Sequence, residues 1–292
     1  MINKYMIINE VLVQNLIANQ FPEWRNLPVK AVLNQGWDNR TFRLGDELLV
    51  RLPSSQKYTF QVEKEQAWLP KLAPHLPYAI PIPIALGQPE VNYPWKWSIY
   101  KWLNGESALH GQIDNLEKLA CDLAKFINAF QQIDTAGGPP PSAQNFYRGG
   151  SLLNYDEETR KAILLLAGKI DQNAALKLWG KALDTEYTND PVWVHGDISP
   201  GNLLVANGNL TAVIDFGQLA VGDPACDLTI AWTMFYGKSR ELFIQSVSTA
   251  NDTWIRAKAW GLWKALIVAG GISEGNIFER QNAFRIIKEI LG

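Results

Sequence analysis

The chain is short of charge and of cysteine, and each shortage removes a class of explanation. Charged residues make up 19% of its 292 positions, and the formal net charge is only -2. No Lys/Arg run or basic stripe appears, so the electrostatic footprint of a nucleic-acid binder or of a protein drawn to an anionic membrane is missing. No uninterrupted apolar run approaches the roughly 20 residues that span a bilayer. The first ten residues, MINKYMIINE, lack the apolar core of a signal peptide. The two cysteines, Cys121 and Cys226, stand far apart and read as reduced thiols in a cytoplasmic protein rather than as a disulfide. There is no internal repeat and no low-complexity tract. Nothing here indicates a nucleic-acid, membrane or protein partner.

What is present is apolar content of 47% with twelve tryptophans, enough to build one large domain or two medium ones with proper cores. Two halves of different character follow one another. Asn9 can cap a short helix over 10–19. Three β-like runs come next, at 29–35, 40–44 and 47–52, with Gly45-Asp46 as a tight turn between the last two. A helix over 56–71 is expected to end with the help of Pro70 and Pro74. Pro77, Pro81, Pro83 and Pro89 then exclude helix, and 95–103 reads as another strand. After Leu103 the pattern turns helical, at 112–133, 157–169 and 171–185. One compact β patch at 192–195, 203–205 and 210–214 interrupts it, with Asn207-Gly208 as its hairpin turn. From Pro224 onward the pattern is helical. The expected architecture is α+β, with a β-rich lobe at 1–103 and a mostly helical lobe at 104–292.

Three short clusters carry the chemistry: His195-Gly196-Asp197, then Asn202, then Asp215-Phe216-Gly217. Pro200 and Gly201 forbid a helix between Asp197 and Asn202 and shape a loop in which both can face one point. Asp215 ends an apolar strand, which would hold its carboxylate firmly. This order suits phosphoryl transfer. One carboxylate, Asp197, takes the proton of an attacking hydroxyl. The amide oxygen of Asn202 holds Mg2+, a hard cation that prefers oxygen. The second carboxylate, Asp215, bridges the metal to the nucleotide phosphates.

These segments, HGDISPGN (195–202), IDFG (214–217) and GDPACDL (222–228), resemble the aminoglycoside phosphotransferase and choline kinase group of protein-kinase-like small-molecule kinases. The resemblance implies a bilobal kinase fold with ATP or GTP bound in the cleft. It implies Asp197 as catalytic base, Asn202 and Asp215 as magnesium ligands, and Asp227 as the aspartate that braces the catalytic loop. It also implies a small-molecule hydroxyl acceptor. Aminoglycoside- or macrolide-like antibiotics come first, and choline, methylthioribose or homoserine-type metabolites second. A generic protein kinase is disfavoured, because no long activation segment and no Ala-Pro-Glu follow Gly217.

The first lobe departs from the protein-kinase pattern in two places. Instead of three glycines it offers Gly36-Trp37-Asp38-Asn39-Arg40-Thr41-Phe42, where backbone N–H groups near Gly36 and Asn39 could hold phosphate oxygens. Arg51 stands where the family's strand lysine reaches the phosphates, and arginine binds phosphate as a fork rather than a point charge. These departures keep open a second class, a catalytically silent kinase-like binding module. The resemblance places Arg51's partner glutamate on the following helix. Glu65 is preferred to Glu63, which points to the opposite side of that helix. Residues 99–103 resemble the hinge, with Tyr100 and Trp102 contacting nucleotide by position. For a polycationic acceptor the candidate acids are Asp156, Glu157, Glu158 and Asp223, although the first three stand where helix starts favour acids anyway.

Overall fold

A computed structural model describes residues 7–32, 36, 38–273 and 277–292, with side chains at 277 and 278 left out. The far end of the expected first strand, 33–35, and residue 37 of the Gly36–Phe42 loop lie outside the described residues. The chain packs as two units. One holds the N-terminal part to Pro74, Ala79–Asn104 and Val213–Gly217; the other holds His75–Tyr78, Gly105–Ala212 and Gln218–Gly292.

The first unit is built on a five-stranded antiparallel sheet. Its strands are β1 (Val29–Ala31), β2 (Asn39–Leu44), β3 (Leu48–Pro53), β4 (Pro83–Gly87) and β5 (Trp97–Lys101), in the order β1-β2-β3-β5-β4. One face carries Phe42, Leu44, Val50, Leu52, Trp97 and Ile99 into an apolar core. Helix α1 (Glu10–Gln20) closes that core with Val13, Leu16 and Ile17. Asn9 caps α1 by accepting the Leu12 N–H at 3.0 Å. Helix α2 (Phe60–Leu72) contacts β4 and β5. Pro70 lies inside α2 and does not end it. The ring removes only one backbone donor, and the helix runs on for two more residues.

The second unit contains β6 (Glu106–Ser107), α3 (Leu116–Gln131), α4 (Asp156–Leu165), α5 (Gln172–Leu183) and β7 (Val192–Val194). After these come β8 (Leu203–Ala206), β9 (Asn209–Val213) and β10 (Ala220–Gly222). Helices α6 (Ile230–Thr233), α7 (Gly237–Ser246), α8 (Asn251–Ala269) and α9 (Ile277–Leu291) complete it. The single β patch read from the sequence is in fact two small sheets. β7 pairs with β10, while the β8–β9 hairpin pairs with β6. The hairpin turn is at Asn207-Gly208, both at positive φ (48° and 72°), as a two-residue turn of this kind demands. Helix α8 is apolar around most of its surface and packs against α4, α5 and α9. The acids at the start of α4 are tied to this core. Trp179 Nε1 donates to Asp156 at 2.7 Å and Trp263 Nε1 to Glu158 at 2.6 Å. Among the described residues, no helix is long and apolar enough to cross a membrane, and both cysteines are free.

Candidate active site

Alternation along β3 decides where Arg51 goes. Val50 and Leu52 enter the core, so Arg51 takes the other face of the sheet. There its Nη1 lies 3.2 Å from Glu65 Oε1 and its Nη2 2.7 Å from Asp215 Oδ1. Glu65 is 2% exposed and also accepts the Tyr100 hydroxyl. Burial works against the charge on Arg51, but the carboxylates of Glu65 and Asp215 outweigh it and hold the guanidinium above its ordinary pKa. Burial also pushes the Tyr100 phenol well up, and the charge on Glu65 adds to this. Glu63, on the other side of α2, is exposed and pairs with Lys96.

The residues taken for nucleotide contacts are placed unevenly. Asn39 is buried at 6% exposure and donates to Gln61 Oε1 at 3.1 Å, so its side chain ties the loop to α2. Gln61 in turn donates to Asp38 at 2.9 Å. Burial pushes the Asp38 carboxyl above the usual carboxylate value, and the Gln61 hydrogen bond works against that. Gly36 is exposed, and its carbonyl accepts Arg40 Nη1 at 2.8 Å. The Tyr100 side chain is committed to Glu65. The Trp102 ring lies under the Arg43 guanidinium at 4.5 Å, and its backbone N–H donates to Glu47 at 2.7 Å.

In the second unit, β7 delivers His195 into a loop whose shape is set from below. The buried carboxylate of Asp227 accepts the backbone N–H of His195 and of Gly196, each at 2.7 Å. Burial raises Asp227 above the usual aspartate value; His195 and the two N–H donors pull it back. Gly196 sits at φ +84°, and a Cβ there would lie 2.7 Å from the Gln218 carbonyl and 2.9 Å from Arg148 Cβ. No other residue fits both demands. Asp197 follows, and Asn202 Nδ2 donates to its carbonyl at 2.9 Å and to its Oδ2 at 3.2 Å. Ser107, from β6, holds the turn between them by donating to Pro200 and Gly201. Asp223 forms a buried pair with Arg256 at 2.6 Å, so its charge is already met.

The family model of the phosphotransferase enzyme family matches residues 31–260. The chain belongs to the phosphotransferase enzyme family. Solved structures with the same fold cover nearly all of it. One is a point mutant of aminoglycoside 2′-phosphotransferase-IIIa in complex with GDP (20% identity, 97% of each chain, TM-score 0.74). Another is the GDP and kanamycin complex of APH(2″)-IIIa (18% identity, 96% of this chain and 98% of that one, TM-score 0.69). A third is the apoenzyme of macrolide 2′-phosphotransferase MphH from Brachybacterium faecium (19% identity, 95% and 97%, TM-score 0.64). At these identities the likeness shows the fold. No curated protein matches the chain in sequence.

The sequence reading of this phosphotransferase missed two residues of α2. Gln61 and Lys64 stand four residues and one residue before Glu65. A Cβ on Gly217 would lie 2.8 Å from Gln61 Cδ, and Lys64 Nζ donates to the Gly217 carbonyl at 2.7 Å. Burial lowers the Lys64 pKa to about 8 against the opposing pull of Glu65 and Asp215. The i, i+3, i+4 spacing of 61, 64 and 65 was the available signal.

Proposed function

We propose that this phosphotransferase is a magnesium-dependent kinase that moves the γ-phosphoryl group of ATP or GTP to a hydroxyl of a small molecule. Residues 1–103 would serve the nucleotide, and 104–292 catalysis and the acceptor. Aminoglycoside- or macrolide-like acceptors come first, because the structures of similar fold carry those names. Metabolites of the choline, methylthioribose or homoserine type come second. Two free cysteines suit a cytoplasmic setting.

The observation that carries the reading is the hold on Asp197. Its loop is pinned by Asp227 and its carboxylate is oriented by Asn202, which is what a residue accepting a hydroxyl proton requires. The donor set also fits magnesium. Asn202 turns its amide nitrogen to Asp197, so its carbonyl oxygen is the atom left for a cation. Asp215 presents a carboxylate whose side chain is 40% exposed. Both are hard oxygen donors. Bound magnesium would neutralise charge developing on the phosphate oxygens. Arg51, kept ionised by Glu65, would meet the phosphates with the N–H groups that its two carboxylate pairs leave over, and backbone groups near Gly36 and Asn39 and at Tyr100 and Trp102 would complete the nucleotide contacts.

The test is a coupled kinase screen against aminoglycosides, macrolides, amino alcohols and sugars, with ATP and GTP in parallel. Asp197→Ala should abolish turnover and leave fold and nucleotide affinity intact. Full activity in that variant removes Asp197 as the base. Nucleotide binding with no turnover on any acceptor favours the silent module.

A further inference from the structure

Asp215 has a conformation that needs support. Its φ is +68°, the left-handed region, where a non-glycine residue persists only when its surroundings impose it. Three side chains of the same unit do the imposing. Arg51 takes the carboxylate. Gln61 closes against Gly217. Lys64 donates to the Gly217 carbonyl, two residues beyond Asp215, at 2.7 Å. The last contact holds an ammonium group in a partly buried position, where desolvation opposes its charge.

We propose that Lys64 is a positioning residue for phosphotransfer, one that holds the Asp215-Phe216-Gly217 turn through the Gly217 carbonyl and thereby aims the Asp215 carboxylate. Helix α2 then acts at two points from neighbouring positions, Glu65 fixing the cation of β3 and Lys64 fixing the turn. This role rests on the reading of Asp215 as a ligand of the magnesium–nucleotide.

Two measurements on the full chain test it, and neither needs the acceptor. The first is hydrogen exchange at residues 215–217 without nucleotide, where Lys64→Met should speed exchange. The second is nucleotide affinity by titration calorimetry, with magnesium and with EDTA. Lys64→Met should shrink the magnesium-dependent gain about ten-fold or more, as loss of an outer support does at metal sites, while leaving the affinity in EDTA unchanged. A merely structural lysine would lower both affinities together. If the gain and the exchange both match wild type, the role of Lys64 is overturned. If the wild-type protein gains nothing from magnesium, the ligand role of Asp215 fails instead, and the exchange rates alone decide whether Lys64 holds the turn. Should Lys64→Met fail to fold, Lys64→Arg replaces it. A guanidinium can still donate to the carbonyl, so most of the magnesium gain should survive; its complete loss in a folded protein overturns the proposal.

Discussion

Arg51 bridges two carboxylates, Glu65 through Nη1 at 3.2 Å and Asp215 through Nη2 at 2.7 Å. Both ends of its fork are used before any phosphate arrives. Glu65 has a side-chain exposure of only 3%, so Arg51 is its ion-pair partner away from water. Breaking one side of such a pair leaves a buried charge uncompensated and costs about 3–5 kcal/mol. Arg51→Met should therefore lower urea stability by that amount. Arg51→Met combined with Glu65→Leu should recover a large part of it. A double variant as unstable as the sum of the two single ones removes the coupling.

Asp227 is 2% exposed and takes the backbone N–H groups of His195 and Gly196. Asp227→Asn keeps the shape but replaces an accepting oxygen with a donor, which then faces an N–H. The unmade hydrogen bond costs about 1–3 kcal/mol. Denaturation should show that loss, and hydrogen exchange at His195 and Gly196 should accelerate. Unchanged exchange at these two amides would show that Asp227 does not hold the loop.

Lys64 gives a pH dependence. Its folded pKa is lowered from 10.5 to about 8, so between those values the unfolded chain binds more protons than the folded one. Stability should then rise with pH across that window, by up to about 1.4 kcal/mol per pH unit for a single proton. Below pH 8 both states are protonated and the contribution is flat. Urea midpoints of wild type against Lys64→Met, taken from pH 7 to 10.5, isolate this slope. Parallel curves for the two proteins would refute it.

What could be read from the chain without coordinates divides along a physical line. Local chemistry was legible: the Asn9 cap, the Asn207-Gly208 turn and the loop between Asp197 and Asn202 all follow from neighbours in sequence. Arg51 was legible too, because a cation among apolar strand residues demands a partner. Pairing at long range was not. Lys64 meets a carbonyl 153 residues away; the spacing of 61, 64 and 65 sets these residues on one helix face but does not name that partner. β10 is three residues long, too short for an alternating pattern, so the sequence does not announce its pairing with β7 or separate the two small sheets. Pro70 carries a local preference for ending the helix, and α2 runs two residues past it to Leu72. The acids 156–158 read as helix-start residues. Asp156 and Glu158 also satisfy indole N–H groups of tryptophans, which only the fold brings to them.

Asn202 offers a test in which two effects oppose each other. Its amide nitrogen stands 3.2 Å from Asp197 Oδ2. Asn202→Ala removes the donor. Asn202→Asp removes the donor and sets a like charge beside Asp197, which is the worse change on electrostatic grounds. Without metal, the Asp variant should therefore melt below the Ala variant. A carboxylate is also a stronger magnesium ligand than an amide oxygen, so added magnesium should restore the Asp variant and leave the Ala variant where it was. Turnover at low magnesium should fall about 100-fold or more in both, the usual scale for disturbing a general base, and recover with magnesium only in the Asp variant. If the two respond alike to the metal, Asn202 orients Asp197 and is not a ligand.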